Sequence, residues 1–173
     1  MLKTLRQRRA RRAAAARLFA VVAERGRAPF FYEDLAVPDS LDGRFDLFVL
    51  HAWLVLDWLR AASATDLAQA FIDTVFVELD EALRELGVGD MGMGRRMKTM
   101  AGAFYGRMDA YARAQGEKAL AEAIVRNLYR GSLERVESAE ALARYCVKAR
   151  AQLERGNPLQ GEADFGALPT VGR

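Results

Sequence analysis

The stretch that most constrains this chain runs from residue 38 to residue 59, where a proline-led turn leads into an apolar segment. Asp42 before Gly43 predicts a helix N-cap, because the carboxylate can accept hydrogen bonds from the free N–H groups of a first turn. Behind it apolar residues recur at helical spacing and also fill the other faces. A helix that is apolar all round is buried in a protein or a membrane, and the uncharged run 47–56 is shorter than the roughly 20 residues of a membrane span. The stretch therefore predicts the central helix of a helical domain, over about 42–62.

The rest of the chain also shows helical periodicity. No run of alternating apolar and polar residues is long enough to predict a strand. We expect an all-α, single-domain bundle of about six or seven helices. Pro29 begins a short helix, and the longer apolar stripes cover 67–86, 97–111, 120–131 and 142–153. We assign residues 1–17 to a basic N-terminal arm, 18–156 to the helical domain and 157–173 to a loose C-terminal tail.

Charge is distributed unevenly. Seven of the 26 basic residues precede the first acidic residue, Glu24, so the remaining 19 face 23 acidic residues in the body. The positive net charge of +3 thus describes the arm and not the domain. Arg17 interrupts the apolar stretch behind the arm, and charged residues stand where a cleavage site would lie, so a secretory signal is not predicted. The arm is a solvated, partly helical segment, an electrostatic tether to anionic lipid or ribosomal RNA, or a transit peptide. The candidate tether residues are Arg6, Arg8, Arg9, Arg11 and Arg12.

Four motifs in a fixed order carry a family resemblance. They are the segments 29–32 (Pro-Phe-Phe-Tyr), 37–46 (Val-Pro-Asp-Ser-Leu-Asp-Gly-Arg-Phe-Asp), 87–96 (Gly-Val-Gly-Asp-Met-Gly-Met-Gly-Arg-Arg) and 103–107 (Ala-Phe-Tyr-Gly-Arg), followed by Asn127-Leu128-Tyr129. In this order they resemble the ubiquinol–cytochrome c chaperone family. The resemblance covers roughly residues 18–131.

That resemblance implies an assembly chaperone without enzymatic activity. Its client would be newly made cytochrome b, held during biogenesis of the respiratory bc1 complex. No cofactor, metal or small-molecule substrate is expected. The implied location is cytoplasmic, at the inner face of the cytoplasmic membrane, or on the matrix side in a mitochondrion. The alternative, drawn from the basic arm, is an RNA- or ribosome-associated binding protein, whose affinity should fall steeply with salt.

The glycine segment matches a dinucleotide-binding fingerprint by its letters alone. Gly87, Gly89 and Gly92 have the spacing, but that mechanism needs a strand before the loop, and here a predicted helix precedes it. We therefore expect no nucleotide binding. The segment is either a helix connector or the start of a helix that holds an acidic group of a partner.

Client-binding candidates fall into two groups. Cations near a helix N-terminus are unfavourable, so their presence after the glycine segment favours a partner contact. Methionines give adaptable apolar surface, although Met97 and Met100 suit ordinary core packing. The first group is Phe30, Phe31, Tyr32, Asp42, Arg44 and Asp46, and the second is Asp90, Met91, Met93, Arg95, Arg96 and Lys98. In the first group, Asp42, Arg44 and Asp46 could instead form only a cap and a local ion pair.

The titratable residues do not predict a catalytic centre. His51 is the single histidine and Cys146 the single cysteine, so neither a zinc cluster nor an internal disulfide can form. A lone histidine on an apolar helix predicts a core residue whose ring is hydrogen-bonded. The sequence therefore predicts neither catalytic nor metal-ligating residues.

Overall fold

The computed structural model describes residues 2–168, except the side chains of residues 2, 3 and 90. This part of the chain contains seven α-helices, two short 3₁₀ turns and no strand. The predicted all-α, single-domain bundle is confirmed. The helices are α1 Leu2–Arg25, α2 Pro29–Glu33, α3 Leu41–Ala61, α4 Thr65–Glu85, α5 Asp90–Arg113, α6 Gly116–Asn127 and α7 Val136–Leu153.

Helix α3 is the centre of the bundle, as its all-round apolar pattern predicts. Thirteen of its 21 residues are buried. Helices α1, α4, α5 and α7 all contact it, while α1 also packs along α4 and α6 along α7. No helix in the described range has the length and apolar content to cross a bilayer.

The start of α3 corrects one expectation. The N-cap is Ser40, whose hydroxyl accepts a hydrogen bond from the Gly43 N–H at 3.1 Å, and not Asp42. Asp42 lies one residue inside the helix, in its first turn. A Cβ on Gly43 would overlap the Pro38 carbonyl oxygen, so only glycine allows the turn to fold back this closely.

The predicted N-terminal arm is part of a long helix. Helix α1 runs without interruption from residue 2 to residue 25 and therefore crosses the boundary assigned at 17. Ala14 and Ala15 are buried beside Leu18, and Arg11 pairs with Asp66 of α4 at 2.5 Å. Part of the predicted arm therefore belongs to the core of the domain.

The predicted loose tail is packed against the body as far as residue 168. Phe165 is buried, and its ring lies edge-to-face on His51 with centroids 5.2 Å apart. The guanidinium groups of Arg17 and Arg25 donate hydrogen bonds to carbonyl oxygens of this segment, those of Gln160 and Gly166. The prediction of a loose tail is therefore wrong for 157–168, and residues 169–173 lie outside the described part.

Candidate functional site

A buried carboxylate on α3 joins three parts of the fold. Asp46 is 1% exposed, and its carboxylate lies 2.7 Å from Arg107 of α5 and 2.8 Å from Arg130, which follows α6. Arg130 also lies 3.8 Å from the exposed carboxylate of Asp42. Burial raises the pKa of Asp46 to about 6, against the opposing effect of the two arginines. This cluster is a structural clasp between α3, α5 and the turn after α6.

The contact between α3 and α5, which we call the α5 seam, leaves polar atoms without protein partners. They are Arg107 Nε, the Tyr111 hydroxyl and Trp53 Nε1. Asp46 Oδ1, by contrast, is held by its ion pair with Arg107 at 2.7 Å. Trp53 and Tyr111 pack with ring centroids 5.6 Å apart. Burial without a hydrogen-bond partner costs each such group about 1–3 kcal/mol.

The contact between α3 and α7, the α7 seam, has all its central polar atoms paired. His51 Nδ1 lies 2.9 Å from the Leu47 carbonyl oxygen, and Nε2 lies 3.0 Å from the Tyr145 hydroxyl. Because a carbonyl can only accept, Nδ1 carries the proton and the tyrosine donates to Nε2. Burial lowers the pKa of His51 to about 4. The prediction of a hydrogen-bonded core histidine is confirmed, and His51 faces aromatic rings instead of an open site.

The structure divides the first group of candidate client residues. Phe31 and Asp46 are buried and offer no surface to a client, so this part of the expectation is wrong. Phe30 is partly buried. Arg44 pairs with Asp39 at 2.7 Å, and its guanidinium lies 5.7 Å from the centroid of the Tyr32 ring. Of this group, Asp42, Arg44 and the open part of Tyr32 form a small surface patch at the start of α3.

The second group lies at the tip of the hairpin formed by α4 and α5. Met91 is fully exposed and Leu86 is 61% exposed, whereas Met93 is buried, against expectation. The exposed side chains of Arg95, Arg96 and Lys98 have no ion-pair partner within the described structure. The side chain of Asp90 lies outside the described residues. The hairpin tip, residues 86–98, thus combines exposed apolar atoms with unpaired positive charge.

The two groups are not brought together. Arg107 of α5 contacts Phe45 and Asp46 at the start of α3. Met91 precedes Arg107 by sixteen residues, which is about 24 Å along a helix. A client that touched both groups would have to span this distance along α5.

The arginines of α1 also divide into two kinds. Arg11 and Arg17 are held by Asp66 and the Gln160 carbonyl oxygen. The other candidate tether residues, Arg6, Arg8, Arg9 and Arg12, are exposed and have no ion-pair partner within residues 4–168. Arg8 and Arg12 line the groove between α1 and α4, together with Asp66 and Asp73, whereas Arg6 and Arg9 are exposed outside this groove.

The fingerprint glycines connect two helices. Helix α4 ends at Glu85 and α5 begins at Asp90, so the strand that a dinucleotide site requires is not there. In residues 2–168, histidine, cysteine and acidic side chains form no cluster suited to a metal ion.

The sequence matches a family model described as ubiquinol-cytochrome C chaperone over residues 33–157. The chain belongs to this family. The match extends through α7 to residue 157, beyond the end of the motif resemblance at 131.

Two known proteins of this kind resemble the chain along most of its length. It is 23% identical over 153 residues to "Ubiquinol-cytochrome-c reductase complex assembly factor 1" of Xenopus laevis, which covers 86% of this chain and 75% of that protein. Its fold is similar to the crystal structure of the Cbp3 homolog from Brucella abortus. That comparison gives a TM-score of 0.81 and 33% identity over 96% of this chain and 97% of the other.

Several residues in the motifs of the resemblance serve the fold of this chaperone-family domain. Arg107 ends the 103–107 motif and pairs with Asp46, which ends the 37–46 motif. The Tyr129 hydroxyl donates to the Leu35 carbonyl oxygen at 2.8 Å. Sequence reasoning assigned no role to Arg107, Arg130 or Tyr145. The order of the motifs was the available signal for Arg107, while nothing in the sequence indicates that Arg130 reaches Asp46.

Proposed function

We propose that this chain is a non-enzymatic assembly chaperone of the bc1 complex that binds newly made cytochrome b. The observation that supports the proposal most strongly is the family match over 33–157, together with the similarity to a complex assembly factor. Within residues 2–168 the buried histidine and cysteine have no access to a substrate, which favours binding over catalysis.

The hairpin tip is the client surface that we favour. Met91 and Leu86 offer exposed apolar atoms to an apolar client. Arg95, Arg96 and Lys98 follow Met91 along α5 and carry positive charge that no described acidic side chain neutralises. That charge suits polar or acidic ends of a membrane segment. The patch at Arg44 and Tyr32 is the second contact that we propose.

Complementation of a deletion strain tests this function, with the haem absorbance of cytochrome b as the readout. Loss of the chain should lower cytochrome b and assembled bc1 complex and leave unrelated enzymes unchanged. A triple variant, Arg95→Glu, Arg96→Glu and Lys98→Glu, should restore much less cytochrome b than the unmodified chain. The matched control reverses three exposed cations elsewhere, Lys118, Arg126 and Arg135, and should complement fully.

The outcomes distinguish the assembly role of the protein from the location of its client surface. Full cytochrome b in the deletion strain would overturn the assembly role. Equal complementation by both triple variants would leave the role standing and move the client surface away from the hairpin tip. Arg44→Glu tests the second patch in the same strain.

A second function is favoured by the exposed arginines of α1 that have no ion-pair partner in residues 4–168. We propose that Arg6, Arg8, Arg9 and Arg12 tether the protein to an anionic surface, either lipid or ribosomal RNA. Replacing all four with glutamine keeps the buried alanines of α1 and should weaken sedimentation with anionic vesicles or ribosomes at low salt. RNA binding should weaken steeply as ionic strength rises. Unchanged sedimentation with both would show that these arginines are only solvated.

A further inference from the structure

Helix α5 contains four interior glycines that its packing does not require. A Cβ at Gly94, Gly102 or Gly106 would meet no atom within 4 Å, and one at Gly92 would meet only a Val88 methyl group at 3.7 Å. Each glycine inside a helix lowers the helical population roughly two- to fivefold relative to alanine. Helix α5 is therefore intrinsically weak, although no neighbouring backbone needs the space.

Both ends of α5 are bounded by glycine in a left-handed conformation. Gly87, before the helix, has φ 80°, and Gly116, after it, has φ 85°. A Cβ placed on either glycine would meet no atom within 4 Å, so the backbone there has open space in which to rotate. Hinges of this kind absorb the dihedral change when a segment moves as a unit.

Opening the α5 seam would hydrate buried polar groups. Three of them, Arg107 Nε, Trp53 Nε1 and the Tyr111 hydroxyl, have no hydrogen-bond partner in the described part of the protein, and water would reach them once α5 moved away. The arginine side of the Asp46–Arg107 pair is 12% exposed, so water already reaches the edge of this clasp. Opening the α7 seam would break the hydrogen bond from the Tyr145 hydroxyl to His51 and the ion pair between Asp57 and Arg150.

The surface beneath α5 is apolar beyond the clasp. Leu50 lies one turn from Asp46 on the same face of α3, and Trp53 lies two turns from it. Both residues are buried, and no charged residue occurs from 47 to 56. This uncharged face matches the surface of an apolar client helix.

We infer that α5 is a hinged cover on α3, which swings about Gly87 and Gly116, separates Asp46 from Arg107 and exposes the face of Leu50 and Trp53. A second part of this inference, which we call the client step, is that the exposed face receives an apolar helix of cytochrome b. The client step rests on the proposed function. The hairpin tip makes the first contact, and the seam beneath α5 opens afterwards.

Hydrogen exchange measured on the full chain tests whether α5 is a hinged cover on α3. In the unmodified protein, amides of residues 97–111 should exchange at least tenfold faster than buried amides of α7. The double variant Gly102→Ala, Gly106→Ala should slow exchange in α5 about 5- to 30-fold, because two added Cβ groups strengthen the helix in open space. Exchange in α7 should stay unchanged. The control, Val147→Ala on the exposed face of α7, should leave α5 exchange as it is.

Equal exchange rates in α5 and α7 of the unmodified protein would overturn the inference that α5 is a hinged cover, because both helices would then open only on global unfolding.

The client step is tested by co-purification of cytochrome b from detergent-solubilised membranes. The double variant should capture several-fold less cytochrome b than the unmodified chain. Equal capture, with α5 exchange slowed, would overturn the client step. If the unmodified chain captures none, the proposed function fails, and hydrogen exchange alone still decides whether α5 is a hinged cover.

Discussion

The α7 seam and the α5 seam differ in how their polar groups are paired, although both lie against one apolar helix. At the α7 seam His51 and Tyr145 use all their central polar atoms, and aromatic rings surround them. At the α5 seam Asp46 holds two arginines, while Arg107 Nε, Trp53 Nε1 and the Tyr111 hydroxyl have no hydrogen-bond partner in the described residues. The comparison teaches that burial alone does not measure how firmly a helix is held. A fully paired seam resists opening, and a partly paired seam gains hydration when it opens.

Trp53→Ala should give the largest loss, because this residue contacts both seams. Its ring packs on Tyr111 of α5 and lies 5.5 Å from the Arg150 guanidinium of α7. Truncating a buried tryptophan costs about 3–5 kcal/mol of unfolding free energy. Urea denaturation followed by circular dichroism measures it. A loss well under 1 kcal/mol would mean that Trp53 stabilises neither seam.

The two seams should also respond oppositely to pH. His51 has a lowered folded-state pKa of about 4, so the unfolded chain binds its proton more readily between pH 4 and 6.5. Its contribution to stability is therefore present above pH 6.5 and falls by up to about 3 kcal/mol on acidification. Asp46 has a raised folded-state pKa of about 6, so its contribution improves as pH falls from 6 towards 4.

Two variants separate the pH dependence of stability that His51 causes from the pH dependence that Asp46 causes. Asp46→Asn should leave a protein that loses stability between pH 6.5 and 4, and His51→Gln should leave one that gains stability over pH 6 to 4. The intact chain should be flatter than either. Urea midpoints at half-unit pH steps measure the slopes, and a flat profile for Asp46→Asn would show that His51 is not the titrating group.

A matched pair of substitutions compares the seams directly. Tyr145→Phe should cost about 1–3 kcal/mol, because it leaves His51 Nε2 buried without its donor. Tyr111→Phe removes a buried hydroxyl that has no protein partner, so stability should stay within about 0.5 kcal/mol or increase. Thermal denaturation of the two variants side by side is the measurement. Equal losses would remove the distinction between the seams.

The smallest expected effect is a gain in stability from a substitution in α5, the intrinsically weak helix. Gly94→Ala adds a methyl group in open space on α5 and should raise the free energy of unfolding by about 0.5–1 kcal/mol. The same substitution at Gly161 should destabilise, since a Cβ there would approach the Ala14 backbone to 2.5 Å from a left-handed conformation. Urea midpoints of both variants check the contrast.

The sequence by itself determined the helices, the central position of α3, the core role of His51 and the family resemblance. These features follow from local spacing, because apolar residues on every face of a helix can only be covered by other helices. Gly87 also ended α4 as predicted, since the left-handed conformation at φ 80° favours glycine. The helical pattern before Gly87 also predicted that the fingerprint glycines follow a helix and not a strand.

Only the tertiary structure decided which members of each candidate group are accessible. Asp42 and Asp46 are one turn apart, yet Asp42 is exposed and Asp46 is buried beside Arg107 of α5 and Arg130 of the turn after α6, both distant from it in sequence. Phe31 is buried against His51 while Phe30 remains partly open, and Met93 is buried while Met91 is fully exposed. The sequence likewise did not predict that α1 and the segment 157–168 pack against the rest of the domain. Helical periodicity gives the face on which a side chain lies, but only the arrangement of the neighbouring helices determines what covers that face.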